Sequence, residues 1–316
     1  MATSVAAPVR SLARSMSNPE RASREGTPAG KRRPPMPGIT PRNAVVTGGA
    51  SGLGRALCLE LAAVGARTLV VDLNQAGAEE TVALVREAGG HAEATTADVT
   101  DIAAMQALAA EAEARLGPID FLANNAGVVA SGAMGELPIE DWNWVLAVNL
   151  HGVINGCHAF VPKMKAARRG AILNTASLAG LLAVPELGPY NVSKAGVVAL
   201  SETMYAELKS FDVGVTVLCP SFFKTNLLAT HRSTSAGAGQ AAQRAFDRAR
   251  LTARDVAKRA LSAVRLGQLY CLPMAEGRVA WWTKRLSPSG LARILGSKWV
   301  RDAYERSLER EVPRQS

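Results

Sequence analysis

Residues Asn43 to Asp72 constrain this 316-residue chain more than any other stretch. A short apolar run, Asn43 to Thr47, enters the turn Thr47-Gly48-Gly49-Ala50-Ser51-Gly52-Leu53-Gly54. A helical pattern follows, with Leu57, Leu61 and Val64 on one side, and it ends at Gly65. Thr68-Leu69-Val70-Val71 reads as a buried strand, and Asp72 closes it eighteen residues after Gly54.

The alternation continues down the chain. A helix from about Ala76 to Ala88 ends at Gly89-Gly90, and a third strand, Ala92 to Ala97, leads to Asp98-Val99. An alanine-rich helix, Ile102 to Leu116, is closed by Gly117-Pro118. A fourth strand, Ile119 to Leu122, runs into Asn124-Asn125-Ala126-Gly127. Leu137 to about Lys165 is a long helical segment. Ala171 to Thr175 is a fifth strand, and Val213 to Leu218 a sixth, ending at Cys219-Pro220. Strands alternating with helices predict an α/β fold with a doubly wound parallel sheet. Hydrophobic residues make up 48% of the chain and aromatic residues only 5%, so aliphatic side chains and alanine must build the core. Helix-covered parallel sheets have cores of that kind.

The glycine turn suits phosphate. Glycines let the backbone approach a pyrophosphate, and a helix N-terminus favours its charge. The spacing is Gly-x-x-x-Gly-x-Gly, not the more usual Gly-x-Gly-x-x-Gly. Asp72 stands where an acid can bind the two ribose hydroxyls of NAD and repel the 2′-phosphate of NADP. Leu73 and Asn74 offer that phosphate no basic partner. The plainer alternative is that Asp72 caps the next helix.

A second candidate cluster lies between Leu173 and Gly196. Tyr190 and Lys194 are four apart, so a helix opening at Tyr190 puts both side chains on one face. Ser177 ends the preceding strand, where an open α/β sheet places its ligands. A free phenol has a pKa of about 10, and a nearby cation lowers it toward working pH. Ser177 could hydrogen-bond the same substrate oxygen and stabilise its developing charge. The bland alternative is an ordinary helix with an exposed Lys and a buried Tyr. Asn149 adds to the functional reading, being a poor helix former inside the apolar run Val145 to Leu150. Trp142 and Trp144 read as core.

Cys58, Cys157, Cys219 and Cys271 form no Cys-x-x-Cys pair and sit among apolar neighbours, so they read as buried free thiols in a reducing compartment. His151 and His158 are seven apart, but no carboxylate or cysteine completes a ligand set, and no metal is expected.

Together these motifs resemble the short-chain dehydrogenase/reductase family. The resemblance rests on Thr47-Gly48-x-x-x-Gly52-x-Gly54, Asn124-Asn125-Ala126-Gly127, Asn149, Ser177 and Tyr190-x-x-x-Lys194, over about residues 43 to 228. It implies a Rossmann-type sheet and a nicotinamide cofactor, NAD before NADP. By that resemblance Tyr190 is the acid in reduction and the base in oxidation. Lys194 lowers its pKa and binds the nicotinamide ribose, Ser177 holds the substrate, and Asn149 supports a water in a proton relay. Gly48, Gly52 and Gly54, with Ser51 and Leu53 between them, lie under the pyrophosphate. Asp98 and Val99 flank the adenine, and Asn125, Ala126 and Gly127 line the adenosine-ribose side. Pro220 and Thr225 fall where the family has Pro-Gly and a following Thr, although Ser221 replaces the glycine here. The resemblance also implies a homodimer or homotetramer.

Charge divides the chain into three. Residues 1–43 carry a net +6, residues 44–230 a net −7 and residues 231–316 a net +10, giving +9 in total. Residues 1–42 read as a disordered basic tail. Their low acid content with Arg and Ser also fits an organellar transit peptide, against which Pro34-Pro35 and Pro37-Gly38 count; a start at Met36 is a third reading. Residues 43–276 form the catalytic domain in this reading. Phe222, Phe223, Leu227 and Leu228 are expected in a lid, facing Leu181 to Pro185 across an apolar pocket suited to a lipophilic alcohol or ketone. Thr252 starts a helix to Leu266, and Leu269 to Leu272 is a last strand.

Residues 277–316 read as a basic amphipathic helical extension. It mixes Trp281, Trp282, Leu286, Leu291, Ile294, Leu295 and Trp299 with Lys284, Arg285, Arg293, Lys298 and Arg301. Such a stretch can lie on an anionic membrane or pack on its own domain or a partner subunit. No run of about twenty apolar residues is evident, so no transmembrane helix is expected, nor is a secretory h-region. The expected location is cytoplasmic, with peripheral membrane contact through the extension as an alternative. The leading function is an NAD-dependent alcohol dehydrogenase or ketone reductase. A dinucleotide-binding sensor without turnover is the alternative. Nucleic-acid binding is disfavoured by the acidic core and the lack of a recognisable motif.

Overall fold

Apolar runs with no polar face must be covered on both sides, and the chain does this with helices. The computed structural model describes residues 38–224, 231–234 and 248–297. Strands β1 (Asn43–Thr47), β2 (Arg67–Val71), β3 (His91–Thr95), β4 (Phe121–Asn124), β6 (Gly170–Thr175), β7 (Val213–Leu218) and β9 (Tyr270–Cys271) form one sheet. Its order is β3-β2-β1-β4-β6-β7-β9, and every neighbouring pair is parallel. Two short strands, β5 (Ala130–Ser131) and β8 (Arg232–Ser233), pair separately.

Helices α1 (Gly52–Ala63), α2 (Gln75–Glu87) and α8 (Ala253–Arg265) cover one face. Helices α3 (Ile102–Leu116), α5 (Gly152–Ala167) and α7 (Gly188–Leu208) cover the other. The two core clusters are built from Val, Leu, Ile and Ala, with Phe121 and Phe160 the aromatic residues among the largest fully buried side chains. The chain winds outward from β1 through β2 to β3, then returns to place β4 on the other side of β1. That reversal opens a crevice at the carboxyl ends of β1 and β4.

The doubly wound sheet stands as the sequence predicts, with local differences. The fourth strand begins at Phe121, because Asp120 turns to bind the start of β1. Val64 is exposed, since α1 ends before it, while Leu57 and Leu61 pack in the core. The long helical segment is three pieces: α4 (Ile139–Leu146), a π turn (Ala147–His151) and α5. By length and composition the whole of Ile139–Ala167 could cross a membrane, contrary to the sequence expectation. Its apolarity has a local cause: Val153, Cys157, Phe160 and Met164 of α5 pack into the core. Helix α8 starts with a capping box between Thr252 and Asp255. Helices α9 (Ala275–Leu286) and α10 (Pro288–Leu295) follow β9.

All four cysteines are buried and free. Burial pushes the Cys58 and Cys157 thiols up to about 12 and the Cys271 thiol to about 11, so none is a ready thiolate. Among the described residues no group of three His, Cys, Asp or Glu could hold a metal ion.

Asp120 is the polar pin at the opposite, amino end of the sheet. Its Oδ1 accepts from the backbone N–H of Arg42 (2.8 Å) and Asn43 (3.1 Å), and its Oδ2 from the guanidinium of Arg169 (2.8 and 3.1 Å). Asp120→Ala should therefore lower unfolding stability by about 2–3 kcal/mol, because two amides and a guanidinium lose their acceptor. Urea unfolding checks this, and an unchanged midpoint would contradict it.

Candidate active site

The site grows from the carboxyl ends of β1, β2, β4 and β6. After β1, Gly48 and Gly52 take φ of +65° and +52°, the left-handed region that glycine enters without strain. A Cβ on Gly54 would sit 1.9 Å from the Gly48 oxygen, and one on Gly48 would sit 2.8 Å from Ala126 Cα. At Gly48 and Gly54 the turn is thus bare backbone, packed on the Ala126 backbone and the Asn125 side chain. Ser51 is the N-cap of α1 but makes no side-chain capping bond, while Leu53 is buried and seats the helix. An uncapped helix start behind a glycine-rich turn fits a pyrophosphate.

Asp72 leaves β2 beside this turn. One carboxylate oxygen accepts from Ala50 N–H and the other from Asn74 N–H, both at 3.0 Å. Asn74, not Asp72, caps α2, through Gly77 N–H at 3.1 Å. The carboxylate is aimed at the glycine turn with lone pairs left for a diol. Asp98 is exposed and accepts from the N–H and hydroxyl of Thr100, and Val99 is buried beside Gly152.

The Asn125 side chain, expected along the adenosine ribose, turns inward. Its Nδ2 donates to the carbonyls of Thr47 (3.1 Å) and Gly48 (3.2 Å). Asn125 therefore holds the glycine turn from behind. Thr47, part of the motif but given no role from the sequence, works from the other side: its hydroxyl accepts from Asn125 N–H (3.0 Å) and Ala126 N–H (3.2 Å) and donates to the Ala123 carbonyl.

Ser177, Tyr190 and Lys194 come together as the spacing predicts. Ser177 follows β6 and is the N-cap of α6 (Leu178–Leu182), accepting from Ala179 N–H at 3.1 Å. Tyr190 lies in the first turn of α7, buried, with a side-chain hydrogen bond to Ser177. Lys194 is only 2% exposed and donates from Nζ to the Thr175 carbonyl at 2.8 Å, with Nζ 5.8 Å from the Tyr190 ring centre. Burial lowers Lys194 to about 8. Tyr190 departs from expectation: burial raises its pKa above the ordinary value, and the Ser177 hydrogen bond only partly opposes that. Desolvation of the phenolate is the largest effect on this group.

Asn149 occupies the π turn and is fully buried. Its amide closes a two-way pair with Val128, accepting from N–H and donating to C=O, both at 2.8 Å. Nδ2 also donates to Ser193 Oγ (3.2 Å), which in turn donates to the Tyr190 carbonyl (2.8 Å). Asn149 thus clamps the loop after β4 to the first turn of α7, leaving one Oδ1 lone pair for a water. A Cβ on Gly127 would lie 3.2 Å from Asn149 Oδ1 and 3.4 Å from Lys194 Nζ, so the loop passes between them.

The loop before Tyr190 is strained, with positive φ at Ala183 (58°) and Glu186 (62°). Asn191 braces it by a two-way pair with Val184 (3.2 and 2.6 Å), and Gly132 N–H binds the Glu186 carbonyl at 2.8 Å. Val129, Ala179, Val184 and Leu187 form an apolar wall with Tyr190. Trp142 and Trp144 pack on a neighbouring cluster, and Arg232 lies over Trp144 at 3.9 Å with an ion pair to Asp141. Phe223, expected in the lid, is instead buried in the core with α8, while Phe222 is half exposed. Pro220 is buried and its carbonyl accepts from Leu178 N–H at 2.8 Å. Thr225, Leu227 and Leu228 lie outside the described residues.

The fold is thus a parallel α/β sheet with a glycine turn after β1 and Ser177, Tyr190 and Lys194 gathered at the carboxyl end of β6. A family model for short chain dehydrogenases matches residues 42–236, and the chain belongs to that family. It is 40% identical over 184 residues to the D-threitol dehydrogenase of Mycolicibacterium smegmatis, an alignment covering 58% of this chain and 71% of that one. It is 38% identical over 186 residues, 58% of this chain, to "Probable oxidoreductase EphD" of Mycobacterium tuberculosis, of whose length it spans only 31%. Among solved structures, a short chain dehydrogenase/reductase from Burkholderia phymatum in complex with NAD matches at a TM-score of 0.74 and 34% identity, over 78% of this chain and 93% of that one.

Thr47→Val keeps the shape but removes the acceptor of two amides. It should cost about 1–3 kcal/mol and speed hydrogen exchange at Asn125 and Ala126. Unaltered exchange at both would contradict the role given to Thr47.

Proposed function

We propose that this chain is an NAD(H)-dependent oxidoreductase that interconverts a lipophilic secondary alcohol and its ketone, with Tyr190 moving the proton. The observation that carries the reading is the convergence of Ser177, the buried Tyr190 and the Lys194 ammonium, whose Nζ lies 5.8 Å from the Tyr190 ring centre. Relatives named as dehydrogenases and a structural neighbour bound to NAD support it. Asp72, aimed at the glycine turn, supports NAD over NADP.

When bound, the nicotinamide cofactor supplies or accepts the hydride. Gly48, Ser51, Gly52, Leu53, Gly54 and the start of α1 hold its pyrophosphate, Asp72 its adenosine ribose and Lys194 its nicotinamide ribose. The hydroxyls of Tyr190 and Ser177 bind one substrate oxygen. In reduction Tyr190 gives that oxygen a proton, and the Lys194 ammonium and Ser177 favour the phenolate left behind. In oxidation the proton returns to Tyr190. Burial favours the neutral phenol, so in the free protein Tyr190 carries the proton that reduction would transfer. Val129, Ala179, Val184 and Leu187 offer the substrate an apolar surface, which favours a lipophilic ketone over a polyol.

A panel of lipophilic ketones and polyols, followed by nicotinamide absorbance, tests the reading. The ketones should be reduced with NADH in preference to NADPH. Tyr190→Phe should lower kcat by about 10²–10⁴-fold while the protein stays folded. Undiminished turnover in that variant would overturn the acid–base role, and an NADPH preference would overturn the role of Asp72.

The pH profile adds a second check. Lys194 is lowered to about 8, so its charge is present below that pH and lost above it. Reduction should hold steady near neutrality and fall as pH rises through about 8, since the phenolate then loses its stabilising cation. A rise over the same range would contradict this.

A further inference from the structure

Helix α9 turns the wrong side of its sequence to water. Its inward face is Gly277, Ala280, Trp281 and Lys284, spaced one helical turn apart. Trp281 packs on Tyr270 of the edge strand with ring centres 4.8 Å apart. Lys284 donates to the Leu181 carbonyl of α6 at 2.5 Å, and Gly277 lies against Leu178. The outward face then carries Val279 (67% exposed), Trp282 (58%) and Leu286 (85%), at i, i+3 and i+7. Ile294 of α10 adds a fourth apolar side chain at 55%. An ordinary amphipathic helix would put these residues inside.

Cations flank the stripe. Arg278 and Arg285 lie on α9 and Arg293 on α10, and across α9 and α10 the one carboxylate is Glu276. Arg285 stacks over Trp281 (4.9 Å) and Trp282 (5.9 Å), which keeps its charge at the level of the indoles. A cleft of about 640 Å³ opens beside Trp282, and Arg259, Arg278, Tyr270 and Trp281 also line it. Guanidiniums around an aromatic-walled cleft accept anionic groups.

We propose that the outward face of α9 and α10 is a docking surface for anionic lipid, with Val279, Trp282, Leu286 and Ile294 entering the headgroup boundary and Arg278, Arg285 and Arg293 binding lipid phosphates. The charge complementarity fits an anionic bilayer, whereas a two-fold pairing of this face with its own copy would set Arg278, Arg285 and Arg293 against the same arginines. Exposed indole and leucine side chains with arginines at their edges are what an interfacial helix presents. The surface also has a position. Helix α9 is braced on α6, which follows Ser177 directly, so the docked face lies next to an element of the candidate site. A lipophilic substrate could then pass from the bilayer toward that site.

Flotation of the full chain tests the proposal without reference to turnover, so its failure would leave the proposed reaction untouched. Vesicles of phosphatidylcholine alone are compared with vesicles containing phosphatidylserine. The full chain should float with the anionic vesicles only, less so at high salt, and Trp emission should shift to the blue. Combined Arg278→Gln, Arg285→Gln and Arg293→Gln should weaken partitioning by about a hundredfold. Combined Val279→Ser, Trp282→Ser and Leu286→Ser should weaken it by about tenfold or more. Leu286→Ser alone, at a position 85% exposed, guards against misfolding and should still lower flotation measurably. Absent flotation, flotation indifferent to vesicle charge, or equal flotation of all variants would overturn the proposal. So would a serine variant that changes the particle mass by light scattering yet floats like the parent, since the face would then join copies of the chain.

Discussion

The Lys194 ammonium, buried and bound to the Thr175 carbonyl, is the interaction on which the site's arrangement depends. Removing an ammonium from water costs several kcal/mol unless its protons find acceptors. Thr175 supplies one at the end of β6, and the cost that remains appears as a pKa brought down to about 8. That bond fixes the rotation of α7 relative to the sheet. One turn earlier on the same helix face, Tyr190 is carried against Ser177, the cap of the helix that follows β6. A helix rotated by a single residue would lose both contacts together.

Around this contact lies a second layer of hydrogen bonds that never faces the crevice. Asn149 joins Val128 to Ser193, Asn125 and Thr47 lock the glycine turn to the end of β4, and Asn191 holds the strained loop at Val184. Deeper still, Asn124 donates to Asn174 at 2.9 Å, and Asn174 to Ser201 at 3.0 Å, linking β4, β6 and α7. Buried amides are costly unless paired, so each pair admits one arrangement of the elements it joins. A sheet packed by interchangeable aliphatic side chains needs such pins to fix where its edge loops go. The positioning of the chemistry therefore rests on amides and hydroxyls, and the stability of the fold on Val, Leu, Ile and Ala.

How much of this could be read from the sequence followed from how local each feature is. Period and glycine placement located β1, α3 and β7 to the residue, since turns and caps mark their ends. The spacing of Tyr190 and Lys194 gave their shared face, because four residues close a helical turn. Asp120 displaced the start of one strand: its partners, Arg42, Asn43 and Arg169, lie about fifty or more residues away. Asn125 and Asn149 were legible as special but not in their direction, since an amide's partners are set by tertiary contact. The sign of the Tyr190 shift was misread for a related reason. Spacing shows that a cation is near, but not how completely water is shut out, and here exclusion of water is the largest effect on the phenol. The outward stripe of α9 was legible as amphipathic, while which face would be covered depended on Tyr270 and Leu181.

The account turns on a phenol that burial keeps protonated beside a buried ammonium. An ultraviolet difference titration of the parent protein against Tyr190→Phe isolates that one hydroxyl without requiring a substrate. The account predicts that its phenolate appears only above the usual tyrosine range of about 10. A phenolate forming near neutral pH would mean that the cation outweighs desolvation, and would contradict it.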